Sequence, residues 1–307
     1  LRFFRLPGSF QAAEPETTLG HLRPGQSLAA EVRLQPNRRG LHRLPRPFAY
    51  STFPFNLWRD GRSQAEAPTV LVLPHFHPIA GVDVPIGTRY QPGGIALTSN
   101  VGESPEYIGN REYVPGDSAR RIDHRSWARL ARPVVREYQE EYYCRVALVL
   151  DTFVPPRRKA GREGFPDLEA AISLSASVAD ALSRGEYLID IFAAGPELYV
   201  FRAGRHTAHF ENILEIVACV EACRHNPFET VAPALADELT NISTVIGVFL
   251  DWDASRRHLA RTAVEMGCSV KLLIVRDGPT SEPVDFDEGS VIPLSIAQIR
   301  QGGIEVL

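Results

Sequence analysis

Hydrophobic residues follow two different patterns along the chain. From residue 145 onward, continuous apolar runs that end in acids, such as RVALVLD (145–151) and TVIGVFLDWD (244–253), alternate with segments whose apolar residues recur at helical spacing. Buried strands that alternate with helices are typical of a parallel sheet covered on both faces. The pattern therefore predicts a doubly wound α/β domain over residues 145–307.

Further elements of this domain follow from the same periodicity. Additional strands are predicted for the runs YLIDIFAA, ELYVFRA, SVKLLIVRD and SVIPL. Helices are predicted over residues 165–185, 209–225 and 254–267, where apolar residues fall on one helical face.

The first 80 residues have a different character. Short alternating or apolar runs, such as GLHRLPRPFAYSTFPF and TVLVLP, are separated by turn segments rich in proline and glycine. Short strands with frequent turn signals predict an antiparallel, sandwich-like β-rich domain over residues 1–80. Residues 81–144 are predicted to form a connection followed by an arginine-rich junction.

Composition and charge limit the classes of function. The 307 residues carry a formal net charge of −4, which provides no global basic field, so no nucleic-acid partner is expected. Cys144, Cys219, Cys223 and Cys268 form no CxxC pair, and we expect reduced thiols and a reducing compartment. The sequence has no initiating methionine, so we expect a fragment of a longer protein, with a membrane anchor as one candidate for the preceding segment.

Carboxylates follow two of the predicted buried strands. Asp151 ends the first strand of the α/β region, and Asp251 and Asp253 follow the strand TVIGVF. Ligands of open α/β sheets bind outside the carboxyl ends of the strands, and converging carboxylates can hold Mg²⁺ or Ca²⁺. The alternative is that each acid is solvated or caps the following helix. The sequence contains no phosphate-loop, dinucleotide-binding, nucleophile-elbow or metalloprotease motif.

The densest polar segment is REYVPGDSARRIDHRSWARLAR, residues 111–132. Its Pro-Gly pair predicts a turn in which Gly116 adopts a positive φ, and Asp117 is expected to cap the helix after the turn. The next residues predict one helical run in which Asp123 pairs with Arg120. A structural ion-pair junction is predicted, with binding of a partner or an anion as the alternative. The junction residues are Arg111, Tyr113, Asp117, Arg120, Arg121, Asp123, Arg125 and Arg129.

The same segment resembles a known bacterial family. The runs YVPGD, RRID and AR, followed by the strand CRVALVLDTF, resemble the hallmark of the family named domain of unknown function 58. STFPFNLWR and VLVLP resemble the family's upstream region, so the resemblance covers most of the chain. One departure is His124, where tryptophan is usual. The matching positions are Tyr113, Pro115, Gly116, Asp117, Arg120 or Arg121, Ile122, Asp123, Ala128 and Arg129.

The resemblance implies that the α/β region is a von Willebrand A-like domain. Such a domain binds metal through an Asp-x-Ser-x-Ser run after its first strand, with a distant Thr and a later Asp. Here Asp151 is retained, Phe153 and Pro155 replace both serines, and Asp251 matches the later Asp. Thr207 is the candidate for the distant threonine. A degenerate metal ion-dependent adhesion site is therefore implied, with weak or absent Mg²⁺ binding and no other cofactor.

The resemblance also implies partners. Family members commonly carry N-terminal transmembrane helices and are encoded beside MoxR-type AAA+ ATPases, and no enzymatic activity is established for them. We therefore predict a non-enzymatic, membrane-anchored interaction or scaffold protein, with its soluble part in the cytoplasm, which docks a partner such as a MoxR-type ATPase. The alternative is a hydrolase or metal-dependent ligand-binding module that uses Asp151, Asp251 and Asp253.

The predicted docking face lies at the carboxyl end of the predicted sheet. Phe153 and Val154 are expected to form an apolar tip in the loop there. Such a tip suits contact with a protein, because apolar anchors with a polar rim dominate interface energetics. The alternative is that Phe153 folds inward against the first helix. The predicted partner-binding residues are Asp151, Thr152, Phe153, Asp251 and Asp253.

Overall fold

The fold is that of a computed structural model of the 307-residue chain. The structure describes residues 2–3, 9–12, 20–21, 23, 25–52, 55, 57–62, 66–85, 107–117, 119–138, 145–185, 187–194, 198–201 and 210–307. Contacts group the chain into two compact units. Unit 1 comprises Leu1–Gly87 and Arg145–Leu307, and unit 2 comprises Thr88–Cys144. The domain boundaries predicted after residues 80 and 144 stay predictions.

Strands dominate the first part of the chain and alternate with helices in the second. The strands are β1 (Arg2–Phe3), β2 (Phe10–Ala12), β3 (Leu34–Pro36), β4 (Gly40–Arg43), β5 (Pro47–Ser51), β6 (Asp60–Arg62), β7 (Thr69–Val72), β8 (Tyr107–Glu112), β9 (Val134–Tyr138), β10 (Arg145–Leu150), β11 (Leu188–Ala194), β12 (Leu198–Phe201), β13 (Thr244–Phe249), β14 (Ser269–Val275) and β15 (Val291–Leu294). The helices are α1 (His124–Leu130), α2 (Pro166–Arg184), α3 (Phe210–Cys219), α4 (Phe228–Glu238), α5 (Ala254–Glu265) and α6 (Ile296–Gln301).

The centre of unit 1 is a six-stranded sheet in the order β12-β11-β10-β13-β14-β15. Neighbouring strands are parallel except for β12, which runs antiparallel to β11 at one edge. The prediction of an α/β region with a mostly parallel sheet is therefore confirmed. The chain order of the strands reverses between β10 and β13. The carboxyl ends of this pair form the switch point, where ligands of such sheets bind.

The sheet is buried on both faces, which explains its continuous apolar runs. Every residue of β13 is buried, as are the last five residues of β10. Alternate strand residues, such as Ala147, Val149 and Phe249, share a core with apolar residues of α4 and α5. Helix α2 packs on β10, β11 and β13, and it also contacts α3 and α6. These two groups of helices hold the switch-point strands in place.

The helices differ from the prediction at three places. Helix α3 ends at Cys219 instead of continuing to residue 225, because the chain then becomes extended and the Cys223 N–H donates to the Thr152 carbonyl at 2.8 Å. Helices α4 and α6 were not predicted: α4 has Pro233 inside it, and α6 has only six residues. Among the helices that the structure describes, none combines the length and apolar character needed to span a membrane.

The N-terminal strands form small antiparallel sheets, β1-β5-β6, β2-β3 and β4-β7. Side chains tie this part of unit 1 to the α/β region. Arg39 donates to the Val217 carbonyl at 3.3 Å and forms an ion pair with Glu169. The Lys271 ammonium donates to the Asp83 carbonyl at 2.6 Å. These bonds hold the residue before β4 against α2 and α3, and hold the segment around Asp83 against β14.

Candidate functional site

Asp151 follows β10 at the switch point and is fully buried. Its carboxylate accepts hydrogen bonds from the backbone N–H groups of Phe153 and Leu250, both at 2.9 Å. Arg256 supplies two more donors, with Nε at 2.9 Å and Nη2 at 2.6 Å from Oδ2. Burial raises the pKa of the Asp151 carboxyl, whereas the Arg256 guanidinium and the backbone donors favour its charged form. The acceptor capacity of this carboxylate is therefore used within the fold.

Arg256 is a buried cation at the switch point. It lies in the first turn of α5 with its side chain 3 % exposed, and it forms ion pairs with both Asp151 and Asp253. Its Cζ lies 5.0 Å from the centroid of the Phe228 ring, a cation–π contact. Sequence reasoning missed this residue. The available signal was its position three residues after Asp253, which places an arginine beside the acid that begins the same helix.

Asp253 is the N-cap of α5. Its Oδ1 accepts hydrogen bonds from the backbone of Ser255 at 3.0 Å and of Arg256 at 3.1 Å. These bonds satisfy N–H groups that have no partner inside the helix. The alternative interpretation, in which an acid after a strand caps the next helix, is thus confirmed for Asp253.

Asp251 is held by a separate set of partners. Its oxygens accept hydrogen bonds from the Ser281 backbone at 2.8 Å, the Ser281 hydroxyl at 2.6 Å and the Trp252 backbone at 2.8 Å. Arg276 forms an ion pair with it at 2.7 Å. Partial burial alone would raise the pKa of Asp251, but the Ser281 and Trp252 donors and the arginine lower it below its ordinary value. Asp251 therefore anchors the loop that carries Ser281.

The switch-point residues do not fit a divalent metal. A hard cation needs several free oxygen ligands, but the oxygens of Asp151 and Asp253 face one guanidinium and those of Asp251 face another. The residues at the two serine positions of the adhesion-site pattern are apolar. Thr207, the candidate for the distant hydroxyl, lies outside the described residues. Over the described ranges, no group of three or more His, Cys, Asp or Glu is arranged to hold a metal ion.

The predicted docking face is only partly accessible. Asp151, Thr152 and Val154 are fully buried and are not exposed to a partner, and their predicted role in docking stays a prediction. Phe153 is half-buried and its backbone bridges to Cys223, and Val154 is fully buried, so the predicted tip of two exposed apolar residues does not form. The exposed part of the loop starts later and spans residues 155–163, which we call the basic loop. Its cationic residues are Arg157, Arg158, Lys159 and Arg162.

The turn at the start of the arginine-rich segment forms as predicted. Gly116 has a φ of 113°, and the Asp117 N–H donates to the Val114 carbonyl at 3.0 Å. The Asp117 carboxylate accepts two hydrogen bonds from Arg111, at 2.8 and 2.7 Å, and one from the Val114 N–H at 2.9 Å. The Arg111 guanidinium and the Val114 N–H lower the pKa of Asp117 to about 2. Asp117 thus closes the preceding turn and does not cap the following helix, which corrects the prediction.

The predicted helical run is interrupted. A 3-10 turn over Ala119–Arg121 is followed by α1, and Asp123 between them caps α1. Asp123 accepts hydrogen bonds from the Ser126 hydroxyl at 2.8 Å and the Asn110 amide at 3.1 Å, which lower its pKa to about 2. Its ion-pair partner is Arg136, at 3.6 Å. The predicted pair with Arg120 is therefore wrong, because capping turns the carboxylate toward the start of α1.

The arginines of this segment divide into two groups. Arg111 and Arg132 form ion pairs with Asp117 and Glu112, and the Tyr113 N–H donates to the Pro133 carbonyl at 3.0 Å. The second group is exposed and forms no ion pair among the residues that the structure describes. Its members are Arg120, Arg121, Arg125 and Arg129. These exposed arginines are the ones available for the alternative, the binding of a partner or an anion, which stays a prediction.

Three of the four cysteines lie in the described part of the chain. Cys219, Cys223 and Cys268 are free thiols. Cys268 is buried, and its Sγ lies 3.2 Å from the Ile242 carbonyl. Cys144 lies outside the described residues. The expected reduced state thus agrees with the three thiols that can be placed.

Comparison with known proteins shows which family the chain resembles. No curated protein matches the chain. A family model described as "Protein of unknown function DUF58" matches residues 109–265, about half of the chain. The match begins in β8, includes the arginine-rich segment and the switch point, and ends with α5. The chain therefore belongs to the DUF58 family of proteins of unknown function.

Proposed function

We propose that this chain is a non-enzymatic interaction protein, associated with a membrane, whose α/β region docks a protein partner. The proposal includes a von Willebrand A-like fold with a degenerate metal site for the α/β region, and a sandwich-like arrangement for the N-terminal strands. The family resemblance makes a MoxR-type AAA+ ATPase the candidate partner. It also makes a segment N-terminal to this chain the candidate membrane anchor, with the described units in the cytoplasm.

The main support for the proposal is that the switch-point carboxylates are already engaged in hydrogen bonds and ion pairs. An enzyme or metal-binding module at this position needs acids whose oxygens are free to meet a substrate or a cation. Here Asp151 is saturated by Arg256 and backbone donors, Asp253 caps α5, and Asp251 is paired with Arg276. These acids stabilise the carboxyl end of the sheet, which favours a rigid surface for docking over a reaction centre.

The strand order supports the von Willebrand A-like interpretation. Numbered along the α/β region, the strands lie in the order 3-2-1-4-5-6, and the first of them ends in the acid that such domains retain. The described N-terminal strands pair only in antiparallel fashion, as sandwich domains do. Strand order and pairing direction thus favour both assignments.

The basic loop is the part of the switch-point surface that a partner can reach. Residues 155–163 are exposed along their whole length. The loop is anchored at its base, where Arg224 donates to the carbonyls of Pro155 and Arg158 at 2.9 and 3.0 Å. A fixed cationic surface attracts an acidic partner and orients its approach. We therefore place the docking face on the basic loop, and we include the partly exposed Asp251 and Asp253 in it.

Charge reversal tests this proposal. Full-length protein should be captured from its native membrane together with the ATPase, and Arg157→Glu with Lys159→Glu should reduce the recovered ATPase by about tenfold or more. Arg23→Glu with Arg33→Glu is the matched control, because it changes the net charge equally at other exposed positions. Equal loss of recovered ATPase in both variants would show that net charge, and not the basic loop, causes the effect. Undiminished recovery with the basic-loop variant would place docking elsewhere.

The alternative function, a hydrolase or metal-dependent ligand-binding module using Asp151, Asp251 and Asp253, has less support. It requires Arg256 and Arg276 to leave the acids that they hold. A divalent-metal-dependent activity that is lost in Asp151→Asn, while the protein stays folded by circular dichroism, would favour this alternative.

A further inference from the structure

The loop between β5 and β6 exposes a group of large apolar side chains. Phe55, Leu57 and Trp58 are 73, 76 and 67 % exposed. Their sequence context, TFPFNLW, contains no charged residue. Exposed apolar side chains that occur singly are common on soluble proteins, but several in one short loop indicate an interaction site. We give the name aromatic loop to the three described residues Phe55, Leu57 and Trp58.

The hairpin below the aromatic loop is closely packed. Gly61 of β6 lies opposite Tyr50 of β5, and a Cβ at Gly61 would lie 2.6 Å from the Tyr50 Cα, so only glycine permits this approach. The Tyr50 ring stacks on Phe48, with 6.3 Å between centroids. The Arg59 guanidinium lies 4.9 Å from the centroid of the Tyr50 ring, which is a cation–π contact. The aromatic residues of β5 therefore contact one another and Arg59 within the hairpin, whereas Phe55 and Trp58 of the loop are exposed.

The charge around the hairpin is predominantly positive. Residues 38–62 contain six arginines and one acid, Asp60, although the whole chain has a net charge of −4. Five of these arginines are exposed: Arg38, Arg43, Arg46, Arg59 and Arg62. Arginine stems can cover apolar surface while the guanidinium reaches water or a phosphate. The segment thus combines an apolar, Trp-containing tip with a cationic flank.

We propose that the aromatic loop inserts into the interfacial region of a membrane that contains anionic lipid. Tryptophan and phenylalanine favour the boundary between headgroups and acyl chains, and nearby arginines are attracted to anionic headgroups. A lipid surface accepts a narrow loop without a complementary shape. A stable protein interface buries about 800 Å² on each partner, more than three side chains at a loop tip readily supply. This contact needs neither the protein partner proposed above nor a transmembrane anchor.

Vesicle co-sedimentation of the 307-residue chain tests the proposal. We expect binding to vesicles of phosphatidylglycerol and phosphatidylcholine in equal parts, and clearly weaker binding to phosphatidylcholine alone. Added salt should weaken the binding, because exposed charges are screened. The triple variant Phe55→Ser, Leu57→Ser and Trp58→Ser should bind at least about tenfold more weakly, because it removes the apolar part of the contact. Its fold should be unchanged by circular dichroism, since the substituted side chains are exposed.

A matched control uses Trp127→Ser with Leu130→Ser, which removes exposed apolar side chains of α1 instead. This variant should bind vesicles as the wild type does. Equal binding by the triple variant and the wild type would overturn the proposal. Failure of the wild type to bind either vesicle would also overturn it and would direct the search to an apolar cleft on a protein.

Discussion

Removal of the buried acid at the switch point is the perturbation with the largest expected effect on stability. Asp151 is fully buried and Arg256 is 3 % exposed, so the Asp151→Ala variant leaves a guanidinium in the core with only the partly exposed Asp253 as a counter-ion. Breaking a buried ion pair by removing one partner costs about 3–5 kcal/mol. The backbone N–H groups of Phe153 and Leu250 lose their acceptor as well. We therefore expect a loss at or above the upper part of this range.

Urea unfolding followed by circular dichroism measures this loss, and a double-mutant cycle assigns it to the pair. Replacing the orphaned guanidinium by an apolar chain, in Asp151→Ala with Arg256→Met, should restore part of the stability, so the two changes should not be additive. Glu163→Ala is the control, because Glu163 forms an exposed pair with Arg300 at 3.8 Å, and such pairs contribute less than about 1 kcal/mol. Two results would refute the stabilising role of the buried pair: strictly additive losses of unfolding free energy in the cycle, or a loss in Asp151→Ala as small as that of the control.

Two further predictions concern unit 2. Asp123→Ala should lower the urea midpoint, because it removes the N-cap of α1 and the acceptor for Ser126 and Asn110; an unchanged midpoint would mean that the segment is solvated. The pKa values of Asp117 and Asp123 fall from 3.8 to about 2 on folding, so the unfolded chain binds more protons between these values. The stabilisation they provide is present above pH 3.8 and is lost as the pH falls through about 2. Acid titration of Asp117→Asn with Asp123→Asn should show a shallower decline over this interval than the wild type, and identical profiles would contradict the assignment.

The sheet could be predicted because burial on both faces leaves a clear signal in the sequence. The runs that form β10, β13 and β14 are apolar at nearly every position, and acids mark where two of them end. Helices α4 and α6 left weaker signals. Pro233 inside α4 interrupts the usual helical pattern, and α6 is too short for periodicity to appear.

The candidate site could be located from the sequence but its chemistry could not. The position of the site followed from the rule that the carboxyl ends of parallel strands meet at one edge of the sheet. Whether Asp151 is free depends on a partner 105 positions away in the sequence, and no local pattern states that Arg256 reaches it. The predicted ion pair between Asp123 and Arg120 was wrong for a related reason. Helical spacing suggested Arg120, but capping geometry placed the carboxylate against Ser126 and Asn110 instead.

Titration calorimetry with Mg²⁺, Ca²⁺ and Mn²⁺ can test our claim that Arg256 and Arg276 already neutralise the switch-point acids and leave no oxygen set there for a divalent cation. The wild-type chain should therefore bind these ions weakly or not at all. A sub-micromolar site in the wild type that disappears in Asp151→Ala would contradict the claim and restore a metal-dependent function.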